Sequence, residues 1–377
     1  YSGLCAAVDG KYGGITADDY HLYYIRKTDC CRNYFRCSQG LIMNTRKREI
    51  DIQKGILTIG MILCHCIQFF GKEEYGLQKI LVNLINLSTF SGFMFCFGYT
   101  NQVAYYEKSW KSSSVKMLRN VFRILIAFYI SGIAYVAFVE GKIFRWKFVT
   151  EVLLLKKYPG WSEFLASFAA VLLVGIFIYP LMRRMNTIMF VGVACISCMA
   201  CYIPYDRVHN SWLALLAGSR DYITFPVLQY AVFFAAGVLF CKKEIRWNVW
   251  IFLVVIFAGI PCLRTILETG MLPERFPPSL GFVSGGMALV YGYYLISIGI
   301  ERKRDLFIIE RIAHYLEETG KVSLYWLLLS NLFIFALAGS SFSFRSEGYA
   351  YTFFIVILLL MGYLKNINNV KNGGKQK

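Results

Sequence analysis

Asp51-Ile-Gln-Lys54-Gly55-Ile-Leu-Thr-Ile-Gly-Met-Ile-Leu-Cys-His65 places an aspartate and a lysine at the entry of an apolar run and a histidine well inside it. A helix turns about 100° and rises about 1.5 Å per residue, so eleven residues return Lys54 and His65 to nearly the same face, roughly 16 Å apart. The hydrocarbon core of a bilayer is about 30 Å thick. A Lys54 at one interface therefore puts His65 near mid-membrane, where a titratable group is costly and usually functional.

The rest of the chain supports a membrane reading. Of 377 residues, 57% are hydrophobic and 17% aromatic, above the roughly 45–50% apolar usage of soluble domains. The apolar residues come in ten blocks, at about 50–70, 77–99, 120–139, 161–180, 187–203, 223–241, 247–266, 278–299, 323–339 and 349–364. Each approaches the ~20 residues a helix needs to cross; the fifth and the last are short. The expected fold is all-α, a polytopic membrane bundle of about ten transmembrane helices with cytoplasmic N- and C-termini. Pro226 and Pro261 fall inside blocks and predict kinks. Segment 211–218 is apolar but too short to cross, and suits an interfacial or re-entrant position. Segment 304–318 carries Ile308, Ile309, Ile312 and Leu316 among charges at helical spacing, as an amphipathic cytoplasmic surface helix does.

A net charge of +17 raises the possibility of nucleic acid, and its distribution argues against it. With the N-terminus inside, the cytoplasmic segments hold 23 of the 40 Lys and Arg, the external ones 12, and residues 1–43 five. Such a bias sets orientation and faces the charge toward anionic headgroups. Of the twelve cysteines, Cys64, Cys66, Cys96, Cys195, Cys198, Cys201 and Cys241 fall inside apolar blocks, where cysteine behaves as a small hydrophobe. Cys195, Cys198 and Cys201 recur every third residue without a second ligand pair, so no metal site is expected.

Residues 1–42 differ in character from the rest of the chain. They are mostly polar, begin at Tyr1, and contain no charged-then-apolar secretory signal. Met43-Asn-Thr-Arg-Lys-Arg reads as a natural start, so residues 1–42 are expected to be a poorly ordered or non-native leader. Residues 43–364 read as one transmembrane domain and residues 365–377 as a polar cytoplasmic tail.

Four histidines occur, and His65 alone lies in a predicted span. Imidazole suits proton abstraction from a hydroxyl near neutral pH, making His65 the candidate catalytic group with Asp51 on the same helix. A structural hydrogen-bonding histidine between helices is the plainer alternative. Arg119-Asn-Val-Phe-Arg123 opens the third span with two arginines on one face. They read either as interfacial anchors or, with Lys54, as a cytoplasmic anion site for the phosphates of a nucleotide-like donor. No phosphate loop, nucleophile elbow or zinc-protease motif is present.

The start Asp51-x-x-Lys54-Gly55 followed by ten residues and His65 resembles the opening helix of the membrane acyltransferase-3 family. Phe93-Met-Phe-Cys-Phe-Gly98-Tyr99, Arg119 to Leu125, Phe225-Pro226 through Gly237, and Gly320-Lys-Val-Ser323-Leu324-Tyr325 are similar to its later motifs, in order over residues 46–340. Phe97 stands where that family usually has serine, Asn120 where the first arginine spacing expects its partner, and Ser330 where a late histidine is frequent. Arg275-Phe-Pro277-Pro278-Ser279-Leu280 and the Gly-Met-Ile-Leu-Cys-His run resemble the related heparan-glucosaminide N-acetyltransferase-like proteins. The resemblance implies a multi-pass plasma-membrane O-acyltransferase. It would move an acyl group, usually acetyl, from cytoplasmic acetyl-CoA (acyl-CoA) to a hydroxyl on a carbohydrate acceptor outside. His65 and Asp51 would be catalytic, and Lys54, Arg119 and Arg123 would bind the donor. The same residues also suit a proton-coupled transporter or flippase of a glycan or small molecule, with His65 as relay.

Overall fold

The computed structural model describes residues 47–72, 76–141, 146–340 and 345–373, with side chains to residue 365. The expectation for residues 1–42 falls outside them. From Arg48 onward the chain is one compact unit, and its described residues are helical without strands. The helices are α1 (Arg48–Phe70), α2 (Gly76–Asn101), α3 (Trp110–Phe138), α4 (Trp146–Leu153), α5 (Glu163–Phe177), α6 (Tyr179–Arg183), α7 (Thr187–Ala200), α8 (Ser211–Ala217), α9 (Val227–Lys242), α10 (Val249–Ala258), α11 (Ile260–Thr269), α12 (Leu280–Arg302), α13 (Phe307–Lys321), α14 (Ser323–Ala338) and α15 (Glu347–Gly373). A π-helical turn, Gln102–Tyr106, extends α2.

Every one of the ten apolar blocks contains helix, but length divides them. Six described helices are long and apolar enough to cross a membrane: α1, α2 with its π turn, α3, α10–α11 together, α12 and α15. A seventh arises if α13 and α14, which meet at 82°, count as one broken span. Helices α5, α7 and α9 have 15, 14 and 16 residues, at most about 24 Å of helix. The last block, short by sequence, instead belongs to a helix that runs on to Gly373, into the stretch expected to be tail.

Helices α1 and α2 form the centre. In each, 67% of the apolar window is buried, against 11% in α10–α11 and 17% in α15; these last two present apolar surface suited to lipid. The main core joins α2, α3, α5, α9 and α12. Two glycines let α2 and α9 touch backbone to backbone. A β-carbon at Gly98 would collide with the Phe234 carbonyl, and one at Gly237 with that of Phe95. Small residues at crossings are how helices pack closely without a hydrophobic drive in lipid.

One local expectation needs correction. Pro226 does not kink a span: it is the N-cap of α9, a position where its missing N–H costs nothing. Pro261 does interrupt its block, with α10 ending and α11 beginning around Gly259. The amphipathic segment is α13, yet its isoleucine stripe is not the buried seam. Ile308 and Ile312 are exposed while Ala313, Leu316, Glu317 and Gly320 are buried. The reason is steric. Gly55 admits the Leu316 carbonyl and Gly320 admits the Asp51 carbonyl; these pairs run in opposite order, so α13 lies antiparallel along the start of α1. Segment 211–218 forms α8, capped by Asn210.

Candidate active site

His65 lies five residues before the end of α1, about 8 Å along the axis. It is therefore in the last third of the helix rather than midway. Its imidazole is 5% exposed. The same face of α1 supplies Met61, Cys64 and Gln68, and antiparallel α2 supplies Ile85, Asn86, Thr89, Phe90 and Phe93, to a cavity of about 40 Å³. Three loops close it, each just ahead of a helix: Trp161 with Glu163 and Phe164 at the start of α5, Phe225 before α9, and Arg275 before α12. That volume holds a few water molecules.

The histidine is held in one orientation. Its Nδ1 is 2.8 Å from Asn331 Oδ1 on α14, and Asn331 Nδ2 donates to the Trp161 carbonyl at 3.1 Å. A carbonyl can only accept, so it fixes which way the Asn331 amide faces. The amide oxygen then faces His65, and Nδ1 must carry the proton. Asn331 is not among the residues lining the cavity, which leaves Nε2, with its lone pair, as the nitrogen available there. Trp161 itself adopts a left-handed backbone, φ 60°, uncommon for a bulky residue. Its indole N–H donates to Gln68 Oε1 at 3.0 Å, and its ring packs on Phe69 and Tyr135 at 4.7 and 5.3 Å. Backbone strain is sustained where surroundings over-determine it, and such places concentrate at functional sites.

Arg275 donates through Nη1 to Asn86 Oδ1. Its guanidinium lies 4.2 Å over the Phe276 ring and 5.6 Å over that of Phe225, a geometry that attracts a cation to the ring face. Phe225 in turn stacks on Phe90 at 4.0 Å. Glu163, the first residue of α5, is buried.

The other sequence candidates lie elsewhere. Asp51 is 14 residues before His65, about 21 Å along α1, where its carboxylate pairs with Lys54 Nζ at 2.6 Å. Arg119 and Arg123 are exposed on α3, beside exposed Leu118, Phe122 and Ile126. None of the four lines the His65 cavity. Sequence reasoning passed over Glu163, Asn331 and Trp161, and met Arg275 only as the first residue of a family-like motif. A signal existed for two of them: Glu163 is the only charged residue in block 161–180, and Asn331 is an amide in the otherwise apolar 326–338 apart from Ser330.

The family model for heparan-alpha-glucosaminide N-acetyltransferase, catalytic, matches residues 46–246. It spans more than half of the chain and contains His65, Asn86, Trp161 and Glu163; the chain belongs to this family. Arg275 and Asn331 lie beyond the matched region. No curated protein and no solved structure matches the chain.

Proposed function

We propose that this member of the heparan-alpha-glucosaminide N-acetyltransferase family is an integral-membrane acyltransferase of the plasma membrane. It moves an acetyl group from cytoplasmic acetyl-CoA to a hydroxyl of a cell-surface glycan. The observation that carries the reading is the 2.8 Å contact of His65 Nδ1 with the Asn331 amide oxygen, which favours the proton on Nδ1 and frees Nε2 to act as a base. Oxygen as the acceptor atom rests on the acyltransferase-3-like motifs alone, since the matched family model is named for transfer to nitrogen.

The chemistry needs one proton carrier. His65 Nε2 takes the proton of the acceptor hydroxyl as its oxygen attacks the thioester carbonyl. A C–O bond forms, the C–S bond breaks, and the proton passes from Nε2 to the departing CoA sulfur. Asn331 stabilises the imidazolium formed in between through the same Nδ1–H bond.

The donor reaches His65 from the Arg48 end of α1. The bias of Lys and Arg supports that end as the cytoplasmic one. Arg119 and Arg123 hold the donor phosphates, and Lys54 joins them, oriented by Asp51 at 2.6 Å. An extended arm then spans the roughly 16 Å from Lys54 to His65. The test is release of CoA from acetyl-CoA by the protein in nanodiscs, with and without glycan acceptors. Acetyl esters on the glycan are expected; absence of CoA release by wild-type protein with every acceptor overturns the reading.

A further inference from the structure

The proton transfer at His65 leaves two charged groups of the same cavity without a task. Glu163 is 4% exposed, and its Oε2 has no hydrogen-bond partner. Arg275 lines the same space. Among the described residues it meets the Asn86 amide oxygen and two aromatic faces but no carboxylate within ion-pair distance. Burying a charge with hydrogen-bonding capacity unfilled is expensive. Here an acid with a free oxygen and a base without an acid sit in one pocket and do not close on each other.

We propose that Glu163 and Arg275 form the acceptor subsite and bind hydroxyls neighbouring the one that is acylated, on a sugar ring. The proposal rests on the acyltransferase reading and sharpens its acceptor. A hydroxyl donates one hydrogen bond and accepts others. One ring hydroxyl donates to Glu163 Oε2, its neighbour accepts from the Arg275 guanidinium, and both charges are completed. Trp161, Phe90 and Phe225 supply apolar faces for the C–H surface of the ring.

The test uses nanodisc-embedded protein, acetyl-CoA, and alkyl glucoside, galactoside and mannoside acceptors with their monodeoxy analogues. Wild-type protein should acylate at least one parent glycoside and lose about 10- to 100-fold in acceptor KM for one monodeoxy analogue, the scale of a hydrogen bond to a charged group. Glu163→Gln and Arg275→Gln should raise the parent's acceptor KM on that same scale with donor KM unchanged. In the matching variant the deoxy penalty should shrink, because the partner is already weakened. The proposal is overturned if all monodeoxy analogues equal their parents, or if donor and acceptor KM move together. If a variant fails to fold, the deoxy series on wild-type protein decides alone. Wild-type protein that releases no CoA with any acceptor defeats the acyltransferase reading instead.

Discussion

Replacing Asn331 by leucine tests how His65 is prepared for catalysis. The two side chains are similar in size, so the change removes hydrogen bonds with little change in packed volume. Two bonds are lost: the 2.8 Å contact with His65 Nδ1 and the 3.1 Å contact with the Trp161 carbonyl. A buried polar group left without its partner costs about 1–3 kcal/mol. That energy no longer favours the Nδ1–H form, so the competing tautomer, with its proton on Nε2, becomes populated. A bias of that size holds the Nδ1–H form roughly 5- to 150-fold over its competitor; without it the two forms become comparable in population, so kcat should fall about twofold from this cause, and further as the imidazolium loses its Asn331 partner. Acceptor and donor KM should change little, since Asn331 does not line the cavity. Nitrogen NMR of histidine-labelled protein reads the tautomer directly, and only four histidines occur. Asn331→Asp, which still accepts from Nδ1–H, should retain more activity than leucine. Refutation is a leucine variant with full kcat, or one whose loss is entirely in KM while the nitrogen signals stay those of wild-type protein.

Arg123→Ala and Arg119→Ala should each raise donor KM, and the loss should shrink for thioesters that lack the nucleotide phosphates; unchanged donor affinity with lowered stability would make these arginines interface anchors. Gly320→Val should separate α13 from α1, because the Asp51 carbonyl already occupies the space of a β-carbon, and thermal unfolding should register about 1–3 kcal/mol of overpacking or more. Lys54→Ala should raise donor KM and lower thermal stability together, since it removes the 2.6 Å partner of a buried carboxylate; a change in acceptor KM alone would contradict the donor-side assignment.

Helix formation was legible because apolar blocks in a chain this hydrophobic have few alternatives, and His65 was legible because its polarity contradicts its surroundings. Crossing was harder to read. Blocks 161–180, 187–203 and 223–241 look alike to hydropathy, yet their helices have only 15, 14 and 16 residues, with Pro180 and Pro226 cutting the first and the third short. The site was half visible. Its histidine follows from one helix, but Glu163, Arg275 and Asn331 are brought to it by three separate segments over a sequence span of more than two hundred residues. Asp51 and Lys54 share a helix with His65, and a shared face suggested a shared site. The 1.5 Å rise per residue keeps them at opposite ends of α1. The α13 seam escaped notice because glycine, not isoleucine, allows the closest approach.

The central claim is that His65 carries the proton in acetyl transfer. Nanodisc-embedded wild-type and His65→Ala proteins should be compared for acetyl-ester formation from labelled acetyl-CoA, with folding checked by thermal unfolding. A loss of about 10²–10⁴-fold is expected, as for removal of a general base, with insertion and donor binding preserved. A folded His65→Ala protein that keeps more than about a tenth of wild-type transfer contradicts it.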